Sequence, residues 1–238
     1  MRVLLFGASG MVGQGVLREC LRAQDVDFVQ TVGRSPTGQL DPRLTEIVHA
    51  DMMDYRAIES SLQDFDACFF CLGVSSFRMQ EADYSRLTYD LTLAAARTLA
   101  RLNPQMTFVY VSGRGTDSSE QGRSMWARVK GKTENALKLL PFRAVYLFRP
   151  GVIEPLHGIQ SKTRMYRLLY PLLRPVMALM HALTPNQIVT TEEVGRAMLA
   201  LARRHDAAKA VLEPADIAVL GRTPAGRAGT PPLTPHAR

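Results

Sequence analysis

Gly7, Gly10 and Gly13 follow the apolar run Val3-Leu4-Leu5-Phe6 with no residue between, and they open a helical stretch that runs from Met11 to Ala23. That order constrains the chain more than any other feature, because a strand must turn at once into a helix. Gly7 permits the tight turn, Gly10 lets the backbone N–H groups around Ser9, Met11 and Val12 approach an anion, and Gly13 lets helix and strand pack closely. The helix start then offers unpaired donors and the positive end of the dipole. Spacing alone is a weak signal; the strand before it and the helix after it carry the reading.

Strand-like and helix-like segments alternate beyond this turn, which is the pattern of βα units and a parallel sheet. Phe28 to Val32, Glu46 to His49, Ala67 to Cys71, Thr107 to Ser112 and Ala144 to Phe148 read as further strands. Helices are expected over Glu81 to Leu102, Ser124 to Leu140 and Glu192 to Arg204, with a last short strand over Ala210 to Glu213. The expectation is an α/β fold, Rossmann-like and doubly wound, with a mainly parallel sheet. Its dinucleotide-binding domain spans residues 1–220 and carries a small C-terminal substrate lobe, mainly residues 151–190. Residues 221–238 are rich in Gly, Pro, Thr and Arg and too poor in apolar groups to offset the entropy of ordering, so a disordered tail is expected.

Three cysteines in 238 residues make no disulfide framework, and the apolar run Val3-Leu4-Leu5-Phe6 is too short for a signal peptide, so none is expected. A cytoplasmic protein is the expectation. The most apolar stretch, Met165 to Leu183, is interrupted by Arg167, Pro171, Arg174, Pro175 and His181, which argues against a membrane span. The net charge of +7 is uneven: Pro155 to Thr191 holds no Asp or Glu but includes Lys162, Arg164, Arg167 and Arg174. Such a block suits an acidic protein or a phospholipid surface, or is a solvated helix face. Arg-rich stretches without interleaved aromatic platforms give no support for nucleic-acid binding.

The end of the second strand selects the dinucleotide. An acidic residue there would hold the ribose hydroxyls of NAD and repel a 2′-phosphate. This chain has Val32-Gly33-Arg34-Ser35, and the Arg34 guanidinium is a planar fork of donors matched to phosphate. NADP is therefore expected, with NAD possible. Asp51, beside Met52 after the third strand, is placed to accept from the adenine amino group or to cap the following helix.

With the glycine turn, Cys71-Leu72-Gly73, Val129-Lys130-Gly131-x-x-Glu134, Phe148-Arg149-Pro150-Gly151-Val152 and Val194-Gly195-Arg196-Ala197-Met198-Leu199, the chain resembles a short-chain dehydrogenase/reductase. More narrowly it is similar to the atypical branch typified by the Tat-interactive-protein oxidoreductase, from about Arg2 to Glu213. The resemblance implies an oxidoreductase acting on a small carbonyl or hydroxyl substrate. It also implies that Cys71, Leu72 and Gly73 lie along the nicotinamide-side ribose, that Lys130 bonds ribose hydroxyls, and that Pro150, Gly151 and Val152 border the carboxamide. A nucleotide-sugar epimerase is the lesser reading, since the chain beyond Gly151 is short for one.

The family's catalytic set is a Ser after strand five and a Tyr four residues before a Lys. Ser112 and Lys130 match; the Tyr position is Trp126. Residues 126 and 130 share a helix face, but an indole only donates and does not ionise in the working range. Without its general acid such a site forfeits about 10²–10⁴-fold in rate. Either another group, such as Tyr110 on the Ser112 face of strand five, or Tyr84, Tyr89 or His157, supplies the proton; or the protein binds NADP(H) without turnover as a sensing or scaffold module; or Trp126 is a platform for an anionic or aromatic ligand. Cys68 and Cys71, three apart on a strand, point to opposite faces and suit core packing rather than a metal. No metal site is expected, and Ser9 lacks the G-x-S-x-G context of a hydrolase nucleophile.

Overall fold

Strand β1 (Arg2–Phe6) is buried along Val3 to Phe6 on both of its faces, as an apolar run without alternation requires in a sheet covered by helices on both sides. The computed structural model describes residues 1–159, 187–204 and 209–223. Around β1 lie β2 (Phe28–Gly33), β3 (Leu44–Val48), β4 (Ala67–Phe70), β5 (Thr107–Val111), β6 (Ala144–Phe148) and, further along the chain, β9 (Val211–Leu212). They form one sheet in the order β3-β2-β1-β4-β5-β6-β9, and every neighbouring pair is parallel. The order reverses between β1 and β4, the switch point at which open α/β sheets bind ligands.

Two cores follow from the strand periodicity. Val3, Leu5, Phe69 and Val109 face helix α1 (Met11–Arg22) and the late helices α5 (Thr191–Ala202) and α6 (Pro214–Arg222). Leu4, Phe6, Phe70 and Phe108 face the opposite layer, which holds α3 (Leu91–Leu102) and α4 (Met125–Lys138). Cys68 belongs to the second core while Cys71 packs against the first, so the two thiols diverge as the strand period demands. The expected helix over 81–102 has an internal change of pitch: α2 (Glu81–Ser85) passes through a π-helical turn, Arg86–Asp90, before α3.

The expected substrate lobe falls mostly on residues outside those described, as do Lys162, Arg164, Arg167 and Arg174. What is described of it is a pair of short parallel strands, β7 (Val152–Glu154) and β8 (Ile188–Thr190). Thr190 then starts α5 with a capping box: its hydroxyl accepts from Glu193 N–H while the Glu193 carboxylate accepts from Thr190 N–H. The expected tail begins too early, because Gly221 and Arg222 complete α6; residues 224–238 lie outside the described part. Among the described residues no helix is long and apolar enough to cross a membrane.

One buried ion pair ties the sheet to the layer that carries the site. Glu134 on α4 is fully buried and receives the Arg149 guanidinium, with Nε 3.0 Å from Oε1. Arg149 follows β6 and also donates to Ser118 Oγ at 2.7 Å, so α4, the end of β6 and the loop after β5 meet on one guanidinium. Two motif fragments far apart in sequence are thus a single contact. Arg149 Nη1 also lies 3.6 Å from Glu213 Oε1, so Glu134→Ala leaves the guanidinium a second partner, and we expect it to cost about 1.5–3 kcal/mol of folding stability in urea denaturation. A loss below about 1 kcal/mol, the range of exposed pairs, would show that the pair does not brace the fold.

Candidate functional site

The β1–α1 turn is closed by backbone contacts that leave no room for a side chain. A Cβ on Gly13 would lie 2.1 Å from Gly7 O, and one on Gly7, whose φ is +80°, would lie 2.8 Å from the Cys71 carbonyl and Leu72 N. Gly10 N–H donates to Gly7 O at 2.9 Å and caps α1, whose first turn has no acidic residue. The first-turn amides of Met11, Val12 and Gly13 lack intrahelical acceptors and face outward from the sheet edge. This is a cradle sized for bare backbone and a bound anion, and it fits the pyrophosphate of a dinucleotide.

Two clefts open from the cradle along the C-terminal ends of the strands. One, of about 350 Å³, is walled by Gly7 and Ser9 on one side, by Arg34, Ser35 and Thr37 after β2, and by Met52. The Arg34 side chain is exposed and has no hydrogen bond or ion pair among the described residues. The other cleft, of about 520 Å³, runs from Gly10, Met11 and Val12 past Cys71 and Gly73 to Ser112, Lys130, Pro150 and Gly151. Leu72 borders both, so they form one trough across the switch point.

Sequence expectation and geometry part company at several residues. Asp51 is exposed, its Oδ1 accepts from Met53 N–H at 2.9 Å, and its neighbour Met52 is the residue that walls the smaller cleft. Val152 is exposed on β7, and its neighbour Ile153 lines the cleft in its place. Tyr110 shares the Ser112 face but is sealed in the core, its hydroxyl bonded to Thr92 and Thr133 between α3 and α4; burial pushes its pKa far up. It is not a substitute acid. Tyr84 is buried with Thr88, Tyr89 lies under Lys132, and His157 is bound to Glu192 at 2.6 Å; none of them lines the cleft.

Ser112 is buried, with its Oγ 2.9 Å from Thr116 Oγ1. Thr116 gives its one hydroxyl proton to Gly113 O at 2.7 Å, so Ser112 is the donor in that contact and turns its lone pairs to the cleft. The sequence reading missed Thr116, Gly113 and Arg114, because nothing but the fold brings that loop to the cleft. Lys130 donates to Val111 O at 3.4 Å and stands 5.4 Å above the Tyr110 ring. Burial lowers its pKa to about 8, with Glu134 one turn on pulling the other way. Gly131 beside it is required: a Cβ there would lie 1.7 Å from Asp117 O. Trp126 is half-buried, and its indole rim packs by Gly113 and Gly115, 3.6 Å from where a Gly115 Cβ would stand. Among the described residues no cluster of His, Cys, Asp and Glu could hold a metal.

A parallel sheet in this order, with a glycine cradle at its switch point and a trough on either side, defines a dinucleotide-binding Rossmann-like protein. Within that class the chain belongs to the NAD dependent epimerase/dehydratase family, whose model matches residues 3–121. It is 28% identical to the protein HTATIP2 of Rattus norvegicus over 154 residues, which is 63% of this chain and 62% of the rat protein. It is 26% identical to the mitochondrial protein fmp52-2 of Aspergillus oryzae over 226 residues, 92% of this chain and 96% of that one. A UDP-glucuronic acid 4-epimerase from Bacillus cereus, solved in complex with NAD, superposes with a TM-score of 0.64 at 15% identity, over 90% of this chain and 76% of the epimerase. At that identity the likeness is one of fold. The resemblance to the atypical short-chain dehydrogenases/reductases stands. The cytoplasmic expectation does not: the fungal relatives are named mitochondrial.

Proposed function

We propose that the protein is an NADP(H)-dependent oxidoreductase that interconverts a small carbonyl compound and its alcohol, with Lys130 as the proton carrier in place of the family's tyrosine. The observation that carries this reading is the make-up of the larger cleft: among the described residues its ionisable linings are Cys71, Arg114 and Lys130. Burial pushes the Cys71 thiol far up, and a guanidinium keeps its proton. Lys130 is the one group there that exchanges a proton near neutral pH.

The Gly7, Gly10 and Gly13 cradle would hold the pyrophosphate of the dinucleotide, and the reduced cofactor would supply hydride for a carbonyl carbon. Lys130 gives the carbonyl oxygen a proton from its ammonium and recovers one from solvent, so a ketone or aldehyde becomes an alcohol. Ser112, its own proton committed to Thr116, accepts from the substrate hydroxyl and orients it in the oxidising direction. Arg34, free of other partners among the described residues, supports the choice of the 2′-phosphorylated dinucleotide. Trp126 at the tyrosine position fills the loop beside the cleft without a titrating group. That indole also favours a second reading, a cofactor-responsive binding protein without turnover, because it couples α4 to an exposed loop.

Carbonyl reduction by NADPH, screened over small aldehydes and ketones, should need the Lys130 ammonium, so the rate falls as pH rises through about 8. Lys130→Met should lose about 10²-fold or more, while Tyr110→Phe should stay near wild type. A flat pH profile, or a Tyr110→Phe variant as damaged as Lys130→Met, would remove Lys130 from the role. Arg34→Asp should weaken NADPH far more than NADH in calorimetry; equal losses would overturn the choice of NADP.

A further inference from the structure

The loop that follows β5 places the stem of an exposed arginine along the cleft wall. Arg114 N–H donates to Pro150 O at 3.0 Å, Thr116 N–H returns to Gly113 O at 3.1 Å, and Gly115 takes φ +86° to complete the turn. The stem of Arg114 lies along the wall beside Gly151, its Cδ 3.7 Å from where a Gly151 Cβ would stand. The guanidinium has no hydrogen bond or ion pair among the described residues. Other arginines nearby are engaged: Arg128 donates to Glu81 and to Gly122 O, and Arg149 to Glu134.

The charge of the cleft is one-sided. Arg114 and Lys130 line it together, no Asp or Glu among the described residues does, and the start of α1 adds the positive end of a helix dipole. A neutral ketone gains nothing from that charge. A carboxylate or phosphate accepts two parallel hydrogen bonds from the planar guanidinium.

We infer that Arg114 is the specificity residue of this cleft and that the substrate is a small carbonyl compound bearing a carboxylate or phosphate group, which Arg114 holds while the carbonyl faces Lys130. The inference rests on the proposed function for the reaction but not for the binding. Trp126, the chain's single tryptophan, packs by Gly113 and Gly115 on either side of Arg114, so its fluorescence reports an anion there without cofactor or turnover.

The full chain, free of cofactor, is titrated with 3-oxobutanoate and its neutral methyl ester, and with dihydroxyacetone phosphate and neutral dihydroxyacetone. One or both anions should change the Trp126 emission and neither neutral partner should; which anion responds separates carboxylate from phosphate. Arg114→Gln should weaken the response by about tenfold or more, as loss of a charged hydrogen-bond partner does. Arg34→Gln should leave it unchanged. Equal responses to charged and neutral forms, no response at all, or a response that survives Arg114→Gln would each overturn the inference. Calorimetry with NADPH separates the two proposals. An anion response in a chain that does not bind NADPH sinks the proposed function and leaves Arg114 standing. A loss of NADPH affinity in Arg114→Gln as large as in Arg34→Gln would assign Arg114 to the cofactor and overturn the inference.

Discussion

Backbone pressed against backbone without an intervening Cβ is what the whole site depends on. Gly13 against Gly7 O brings α1 onto β1, Gly7 against Cys71 and Leu72 brings the turn onto the end of β4, and Gly131 against Asp117 O brings the loop after β5 onto α4. Each is a position where an alanine would overlap carbonyl or amide atoms that cannot move without the sheet. The first two contacts lie at the switch point, and the third holds the loop after β5 against the helix that carries Lys130. Side chains are left to supply charge and protons.

How that charge is distributed follows from Glu134. It is the one buried carboxylate on the α4 face that carries Lys130, and it is spent on Arg149. Lys130 therefore feels burial in full and Glu134 in part, which brings an ammonium into the range where it can exchange a proton. The buried pair and the lowered lysine pKa both belong to one face of α4.

The sheet was legible in the sequence because a parallel strand buried on both faces leaves an unbroken apolar run, and Val3-Leu4-Leu5-Phe6 and Ala67-Cys68-Phe69-Phe70 are such runs. The glycine turn was legible because its spacing encodes close approach. Tyr110 misled for a physical reason: strand periodicity fixes which face a residue takes but not how deep along that face it sits. Its ring lies one step inward of Ser112, under α3 and α4, where Thr92 and Thr133 satisfy its hydroxyl. Asp51 shapes the turn after β3, as a short acidic side chain readily does by accepting from an amide two residues on. Arg114 and Thr116 carried no signal in one dimension, since a loop's side chains are placed by what the loop packs against.

The indole at position 126 reorganises the chemistry more than it reduces it. A tyrosine there would pair with Lys130 and draw the titration onto a phenol, leaving the lysine as a fixed charge. With Trp126 turned to the Gly113–Gly115 loop, the proton that a carbonyl reduction requires has one source along the cleft, and that source is also a cation. A site that donates a proton from an ammonium loses that positive charge as the reaction proceeds. Arg114 keeps its own throughout. An anionic group held on Arg114 would thus stay bound while Lys130 passes through its neutral form, which a neutral substrate held by Lys130 alone would not. On the proposed reading, proton transfer and substrate retention would fall to different cations, both carried by one strand–loop–helix unit.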